Sequence, residues 1–254
     1  MYGPDLKRKA GLVSLLSQMQ RIPGLAWIRL LYAYPTGITD ALIRAIAESE
    51  RVVHYLDIPI QHASDAILRA MRRPDTNARL RKLIEKLRRA IPDIVLRTTL
   101  IVGFPGETQK EFDELVDFVR WAQFDALGVF TFYPESGTAA ATFPDQVPDE
   151  IKQARREELM LAQQEIAFAG NRRRVGSRLL CLIDSVEDGG VGRGRFYGQA
   201  PDIDSLCIIK HRSAPRRRSP PLVPGQFVHV EVTGTQDYDL LVEQIPVEAA
   251  CPPQ

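Results

Sequence analysis

The sequence predicts an α/β fold, a parallel sheet of the (βα) barrel type, followed by a small all-β barrel. Three observations predict it. Strand-like and helix-like stretches alternate at least three times before residue 135, as in a parallel sheet with crossover helices. Residues 97–111, RTTLIVGFPGETQKE, read as a strand, a glycine turn and a capped helix, which is the repeating unit of such a barrel. After Val175 no helical period persists, and short β-rich runs follow one another between loops of Gly, Asp, Pro and Arg.

The elements follow in order. Residues 1–5 (MYGPD) read as a loop entered in the middle of a fold, and a helix follows with Leu12, Leu15, Leu16 and Met19 on one face. Residues 27–32 (WIRLLY) read as a strand and Pro35-Thr36-Gly37 as a turn. Thr39 can cap a helix that carries Leu42, Ile43 and Ile46. The strand over 52–58 ends at Pro59, which cannot donate to a ladder, so Gln61 and His62 stand at its C-terminal end. Ser64 can cap a short helix to Met71, closed by Pro74. A longer helix with Leu80, Leu83, Ile84, Leu87 and Ile91 ends at Pro92.

Leu100, Ile101 and Val102 form an apolar run of the kind covered on both faces. Gly103 and Gly106 permit backbone angles closed to other residues, and Pro105 stiffens the turn between them. Thr108 and Glu111 have capping-box spacing, ahead of a helix marked by Phe112, Leu115, Val116 and Val119. Residues 126–133 give another strand, with a loop over 134–137. A long helix over 149–171 is apolar at Ile151, Leu159, Ala162 and Ile166. Four strands are then expected, over 179–183, 205–209, 227–232 and 240–245. The domains are placed at 1–172 and 173–246, with a disordered tail over 247–254.

The composition is that of an ordinary globular protein: 254 residues, 44% hydrophobic, 26% charged, net charge +1. That balance gives no global reason to bind nucleic acid or membrane. Basic clusters are local, at Lys7-Arg8-Lys9, Arg172-Arg173-Arg174 and Arg216-Arg217-Arg218. No apolar run is long enough to span a bilayer, and the N-terminus lacks the apolar stretch of a signal peptide, so a cytoplasmic protein is expected. Cys181, Cys207 and Cys251 lie far apart without metal-ligand spacing and read as buried free thiols.

Four stretches could carry chemistry. In the 103–107 turn, Glu107 is either a solvated acid or a ligand for a cation or hydroxyl, with the glycines opening backbone N–H groups to that ligand. The turn is not a P-loop, because no Gly-Lys-Ser/Thr follows. Gln61 and His62 are placed for ligand contacts at a strand end, or His62 is a structural hydrogen-bonding residue. One of Thr98 and Thr99 should face the barrel interior. Gly192-x-Gly194-x-x-x-Gly198 has the wrong spacing for a dinucleotide site and follows no clear strand. The Arg216–218 loop is either solvated or in contact with RNA phosphate.

YLDIPIQHAS (55–64), Met71-Arg72-Arg73 and TLIVGFPGET (99–108) resemble the radical S-adenosylmethionine methylthiotransferases, and residues 175–245 look like the TRAM domain that closes them. Gln61-His62-Ala63, LLYAYP (30–35) and APDID (200–204) resemble the branch that modifies an aspartate of a small-subunit ribosomal protein. The tRNA-modifying branch usually has a serine-glycine context at 61–63. The resemblance implies a radical SAM partial barrel plus a TRAM barrel, with S-adenosylmethionine and four-iron four-sulfur clusters as cofactors. It implies a radical taken from S-adenosylmethionine that removes hydrogen from the aspartate β-carbon. Sulfur then comes from a second cluster and a methyl group from a second S-adenosylmethionine. Gln61, His62, Thr99, Gly103, Gly106 and Glu107 are the implied cofactor-binding residues. The implied partners are the ribosomal protein and RNA reached through TRAM, with no membrane.

The family's CxxxCxxC loop is absent from this sequence, as are the further cysteines of its N-terminal domain, so no metal ligands are assigned. The chain then corresponds to the C-terminal part of such an enzyme, lacking the first barrel strand, as a truncated or split gene would produce. It is expected to be incompetent and poorly stable alone. The alternatives are a tRNA methylthiotransferase and a non-catalytic binding module without iron-sulfur chemistry.

Overall fold

The computed structural model describes residues 11–210 and 220–246. By its internal contacts the chain divides into residues 1–166 and 167–254.

The first unit is a four-stranded parallel sheet in the order β1-β2-β3-β4, formed by Ile28–Leu30, Val52–Asp57, Val95–Val102 and Ala126–Thr131. Helices fill the crossovers: α1 (Leu12–Met19) precedes β1, α2 (Asp40–Ala47) follows it, α3 (Asp65–Ala70) and α4 (Asn77–Ala90) follow β2, and α5 (Gln109–Ala122) follows β3. Local chemistry fixes most helix starts. The Thr39 hydroxyl accepts from Leu42 N–H, the Thr76 hydroxyl from Arg79 N–H, and Thr108 and Glu111 complete their capping box. Ser64 precedes α3, but its hydroxyl makes no cap bond. Asp65 accepts instead from Asn77 N–H and ties the start of α4 to α3.

The large core lies on one face of this sheet. Leu56, Leu96, Leu100, Val102, Leu127 and Val129 pack there with Ile43, Ile46, Leu80, Ile84, Leu87, Leu115 and Val119 of the helices. Alternation puts Arg97, Thr99 and Ile101 of β3 on the opposite face, in register with Ala126, Gly128 and Phe130 of β4. The expectation that residues 100–102 are covered on both faces is therefore corrected. Leu100 and Val102 are fully buried, whereas Ile101 is half-exposed and its neighbour Phe130 is 62% exposed. A parallel sheet with its helix core on one side, and Arg97 and Thr99 beside Ile101 and Phe130 on the other, agrees with the section of a (βα) barrel that the sequence predicts.

Helix α6 (Asp149–Arg174) also departs from expectation. Ile151 is 43% exposed, and the buried face carries Lys152, Arg155, Leu159, Ala162, Gln163 and Ile166. The spacing is helical, but two of the inward residues are cations. The Gln163 amide donates to Phe124 O at 2.8 Å, which satisfies a carbonyl beyond α5.

The second unit is a closed barrel of five strands in the order β5-β6-β7-β9-β8. In chain order, β5 is Arg178–Val186, β6 Gly192–Phe196, β7 Cys207–Lys210, β8 Phe227–Gln236 and β9 Asp239–Gln244. Cys181, Ile183, Phe196, Cys207, Ile209, Leu222, Val230, Val232, Leu240 and Val242 form its core. Cys181 and Cys207 are buried free thiols, as expected, and Cys207 beside Cys181 pushes the Cys181 thiol well up. Cys251, the 247–254 tail, residues 1–10 and the Arg216–218 loop lie outside the described residues.

Residues 192–198, whose spacing does not suit a dinucleotide site, begin with strand β6 and lead to no helix. Its glycines are explained by packing. A Cβ on Gly194 would meet Leu182 O at 2.3 Å, and one on Gly192 would meet Leu222 Cδ1 at 2.7 Å. Arg193 and Arg195 alternate with them and pair with Glu187 and Asp184.

Candidate functional site

The C-terminal ends of β2 and β3 meet at the 103–107 turn. Gly103 (φ +72°) and Gly106 (φ +82°) both occupy the left-handed region. Gly103 has a second reason to be glycine, because a Cβ there would meet Lys152 Cγ at 2.2 Å. The Lys152 stem lies over the turn, and its ammonium bonds Asp149 at 2.9 Å.

Glu107 is turned inward. Its Oε2 accepts from Gly103 N–H at 2.8 Å and from Phe104 N–H at 3.3 Å. Arg155 Nη1 donates to Glu107 Oε1 and to Glu107 O, both at 3.0 Å. Gly106 N–H donates to Asp145 O, and Glu107 N–H to Phe104 O. Every N–H of this turn is thus engaged within the protein, Pro105 having none. The reading in which the glycines open backbone N–H groups to a ligand is corrected accordingly, and so is the solvated Glu107: its side chain is fully buried.

His62 is also fully buried. Its Nδ1 accepts from Ser64 N–H at 2.9 Å, so the ring proton sits on Nε2, which stands 3.4 Å from Glu107 Oε2 without making a hydrogen bond. His62, Gly103, Glu107 and Arg155 therefore form one buried cluster that ties the end of β2, the turn after β3 and helix α6 together.

Gln61 and Thr99 form the other group. Gln61 (φ +70°) donates its N–H to Thr99 O at 3.0 Å and accepts from Ile101 N–H at 2.8 Å, which carries the pairing beyond Pro59. Both residues are half-buried. Thr98 points to the helix side, where its hydroxyl donates to Ile58 O at 2.8 Å. Thr99 lies on the opposite face beside Arg97, whose Nη1 reaches Thr99 Oγ1 at 3.4 Å and Asp57 Oδ1 at 3.1 Å. Asp57 also accepts from Tyr32 N–H at 3.2 Å, which brings the loop after β1 to the same place. Sequence reasoning missed Asp57, Arg97, Lys152 and Arg155. The signal for the first two was present: a charge inside each of two apolar strands, at positions that the ladder sets opposite each other.

Among the described residues no group of three or more His, Cys, Asp or Glu could hold a metal ion, and residues 1–166 contain no cysteine at all. The residues present do not fit an iron-sulfur cluster. Among the described residues, no helix is long and apolar enough to cross a membrane.

Comparison with known proteins matches residues 5–119 to the radical SAM superfamily and residues 175–245 to the TRAM domain. Ribosomal protein uS12 methylthiotransferase RimO of Geobacter sulfurreducens is 46% identical over 96% of this chain and 53% of its own length. The protein of the same name from Acetivibrio thermocellus gives the same figures, 46% over 96% and 53%. That of Symbiobacterium thermophilum is 45% identical over 95% of this chain and 49% of its own. The chain thus spans about half the length of the relatives it matches. It carries a radical SAM region followed by a TRAM domain, and is similar over nearly its whole length to these RimO relatives.

Proposed function

We propose that this chain is part of a RimO-like radical SAM methylthiotransferase, which adds a methylthio group to the β-carbon of an aspartate in a small-subunit ribosomal protein. The observation that carries this reading is 46% identity, over 96% of the chain, to proteins named for uS12 methylthiotransfer. The working parts are residues 1–172, the partial barrel, and residues 173–246, the TRAM barrel, in a cytoplasmic protein.

S-adenosylmethionine is the cofactor proposed for the face of the sheet that carries Arg97 and Thr99, where it would supply the methyl group and the radical chemistry. Gln61 and Thr99 are the candidate contacts, since they lie together, half-buried and polar, where the chain leaving β2 runs beside β3. Asp57 and Arg97 hold Thr99 and the loop after β1 in place. His62, Gly103, Gly106 and Glu107 act from behind by fixing the turn that ends β3. Because the chain offers no cluster ligands, no redox step is assigned to its residues. The TRAM barrel is the part proposed to touch RNA near the substrate.

The test is a fusion of this chain to the N-terminal half of the Geobacter relative, reconstituted with iron and sulfide without oxygen. It is incubated separately with uS12 and with tRNA, and both are weighed by mass spectrometry. A methylthio mass gain on uS12 alone is expected. Gain on tRNA alone would make this a tRNA methylthiotransferase. Gain on neither, with the cluster formed, would leave a non-catalytic binding module.

A further inference from the structure

We propose that the outer face of helix α4 is an RNA-backbone binding surface, separate from the sheet face and from the TRAM barrel. Between Arg69 and Arg89 the sequence carries nine Lys or Arg against two Asp or Glu, leaving 24 against 30 for the rest of the chain. A nearly neutral protein thus concentrates its positive charge in one segment, α3, its following loop and α4.

Helical geometry orders that charge. Arg79, Lys82, Lys86 and Arg89 stand at i, i+3, i+7 and i+10, a single exposed stripe about 15 Å long. The inward side of α4 is Leu80, Ile84 and Leu87, and Arg81 is drawn to a third side by Trp121, 4.3 Å from its ring centre. Among the described residues Lys82 and Arg89 have no ion-pair partner, and neither do the exposed Arg69 and Arg72 at the end of α3. The Arg79 guanidinium donates to Pro74 O. Lys86 pairs with Asp40 of α2, Asp75 lies within the electrostatic reach of Arg79, and Glu85 flanks the stripe.

The chemistry of the surface selects the partner. None of the large exposed apolar side chains lies in α3 or α4. Stable anchoring on a lipid surface takes apolar insertion beside charge, and a protein partner needs buried aromatic or aliphatic anchors. A row of cations without either fits a linear polyanion, whose phosphates bind by charge and counterion release. Arginines at both ends of the stripe can take phosphate oxygens in bidentate fashion. RNA is the occupant this favours.

The test is anisotropy of a labelled single-stranded RNA of mixed sequence, titrated with the whole chain between 50 and 200 mM salt. Lys82→Glu with Arg89→Glu changes two exposed side chains and should leave the melting temperature unchanged. It is expected to weaken binding about tenfold at low salt and to reduce the log–log salt slope by about 1.4, the value for two lost phosphate contacts on a single strand. Arg172→Glu with Arg173→Glu, in the second unit, separates this site from RNA contact by the TRAM side. Loss confined to that variant overturns the proposal. Equal binding of labelled poly-glutamate through Lys82 and Arg89 overturns it too, in favour of an acidic protein partner. Neither result bears on which molecule is methylthiolated.

Discussion

The Glu107 carboxylate is fully buried against the Arg155 guanidinium. In the sequence it stands at a barrel mouth as an acid available to a ligand. In the fold its carboxylate is the internal acceptor for two turn N–H groups and the counter-charge of a buried Arg155. Removing one partner of a buried pair costs about 3–5 kcal/mol, because the other charge stays in a poor medium unsatisfied. Glu107→Ala is therefore expected to destabilise the first unit by that amount in urea unfolding, rather than merely to weaken cofactor binding. Glu107→Ala combined with Arg155→Met should recover much of the loss, since apolar replacement of both members removes the stranded charge. A folded, undiminished Glu107→Ala protein would return Glu107 to the role of ligand. The neighbouring Thr108–Glu111 capping box was legible from spacing alone because its partners are three residues apart. Glu107 and Arg155 are 48 residues apart, and no local pattern announces that contact.

At the scale of elements, strands and helices built on apolar periodicity were legible, and those built on close approach were not. Helices α2, α4 and α5 begin where Thr39, Thr76 and Thr108 place them, because a side-chain cap is a local bond. Strand β6, GRGRF, escaped because glycine and arginine are poor strand formers on propensity. Its period of two was nevertheless present, with glycine inward and arginine outward. Helix α6 was found, yet its buried face was misjudged, since Lys152 and Arg155 bury stems that sequence patterns count as polar. The β6 glycines make a graded prediction. Gly194→Ala drives a methyl against the backbone oxygen of Leu182, which can move only with its strand. Gly192→Ala meets the end of the Leu222 side chain, which can turn aside. Overpacking costs about 1–3 kcal/mol, so Gly194→Ala should fall at the upper end and Gly192→Ala at the lower. Thermal unfolding of the second unit reads both, and equal losses would show that β6 shifts as a body.

At the scale of the whole molecule, the two units differ in how they end their sheets. Among the described residues the parallel sheet has two edges, β1 and β4, whereas the five-stranded barrel closes and leaves none. With a core of its own, the barrel unit is expected to fold without the first. Where it begins is a physical question, because the domain match starts at residue 175 and the contacts divide the chain after Ile166. The last turns of α6 decide it. Phe168 meets the Tyr238 ring edge-on at 5.1 Å, the Asn171 amide donates to Tyr238 O at 2.9 Å, and the Arg174 guanidinium lies 5.1 Å from the centre of the Phe196 ring. An aromatic pair, an exposed hydrogen bond and a cation–π contact together contribute about 2–3 kcal/mol. A fragment of residues 167–246 should therefore be more stable than one of residues 175–246 by that amount in urea unfolding, with both unfolding cooperatively. If their midpoints coincide, the helix end is a passive tether and the barrel begins at Val175. If the longer fragment alone unfolds cooperatively, the last two turns of α6 are part of the barrel's core structure.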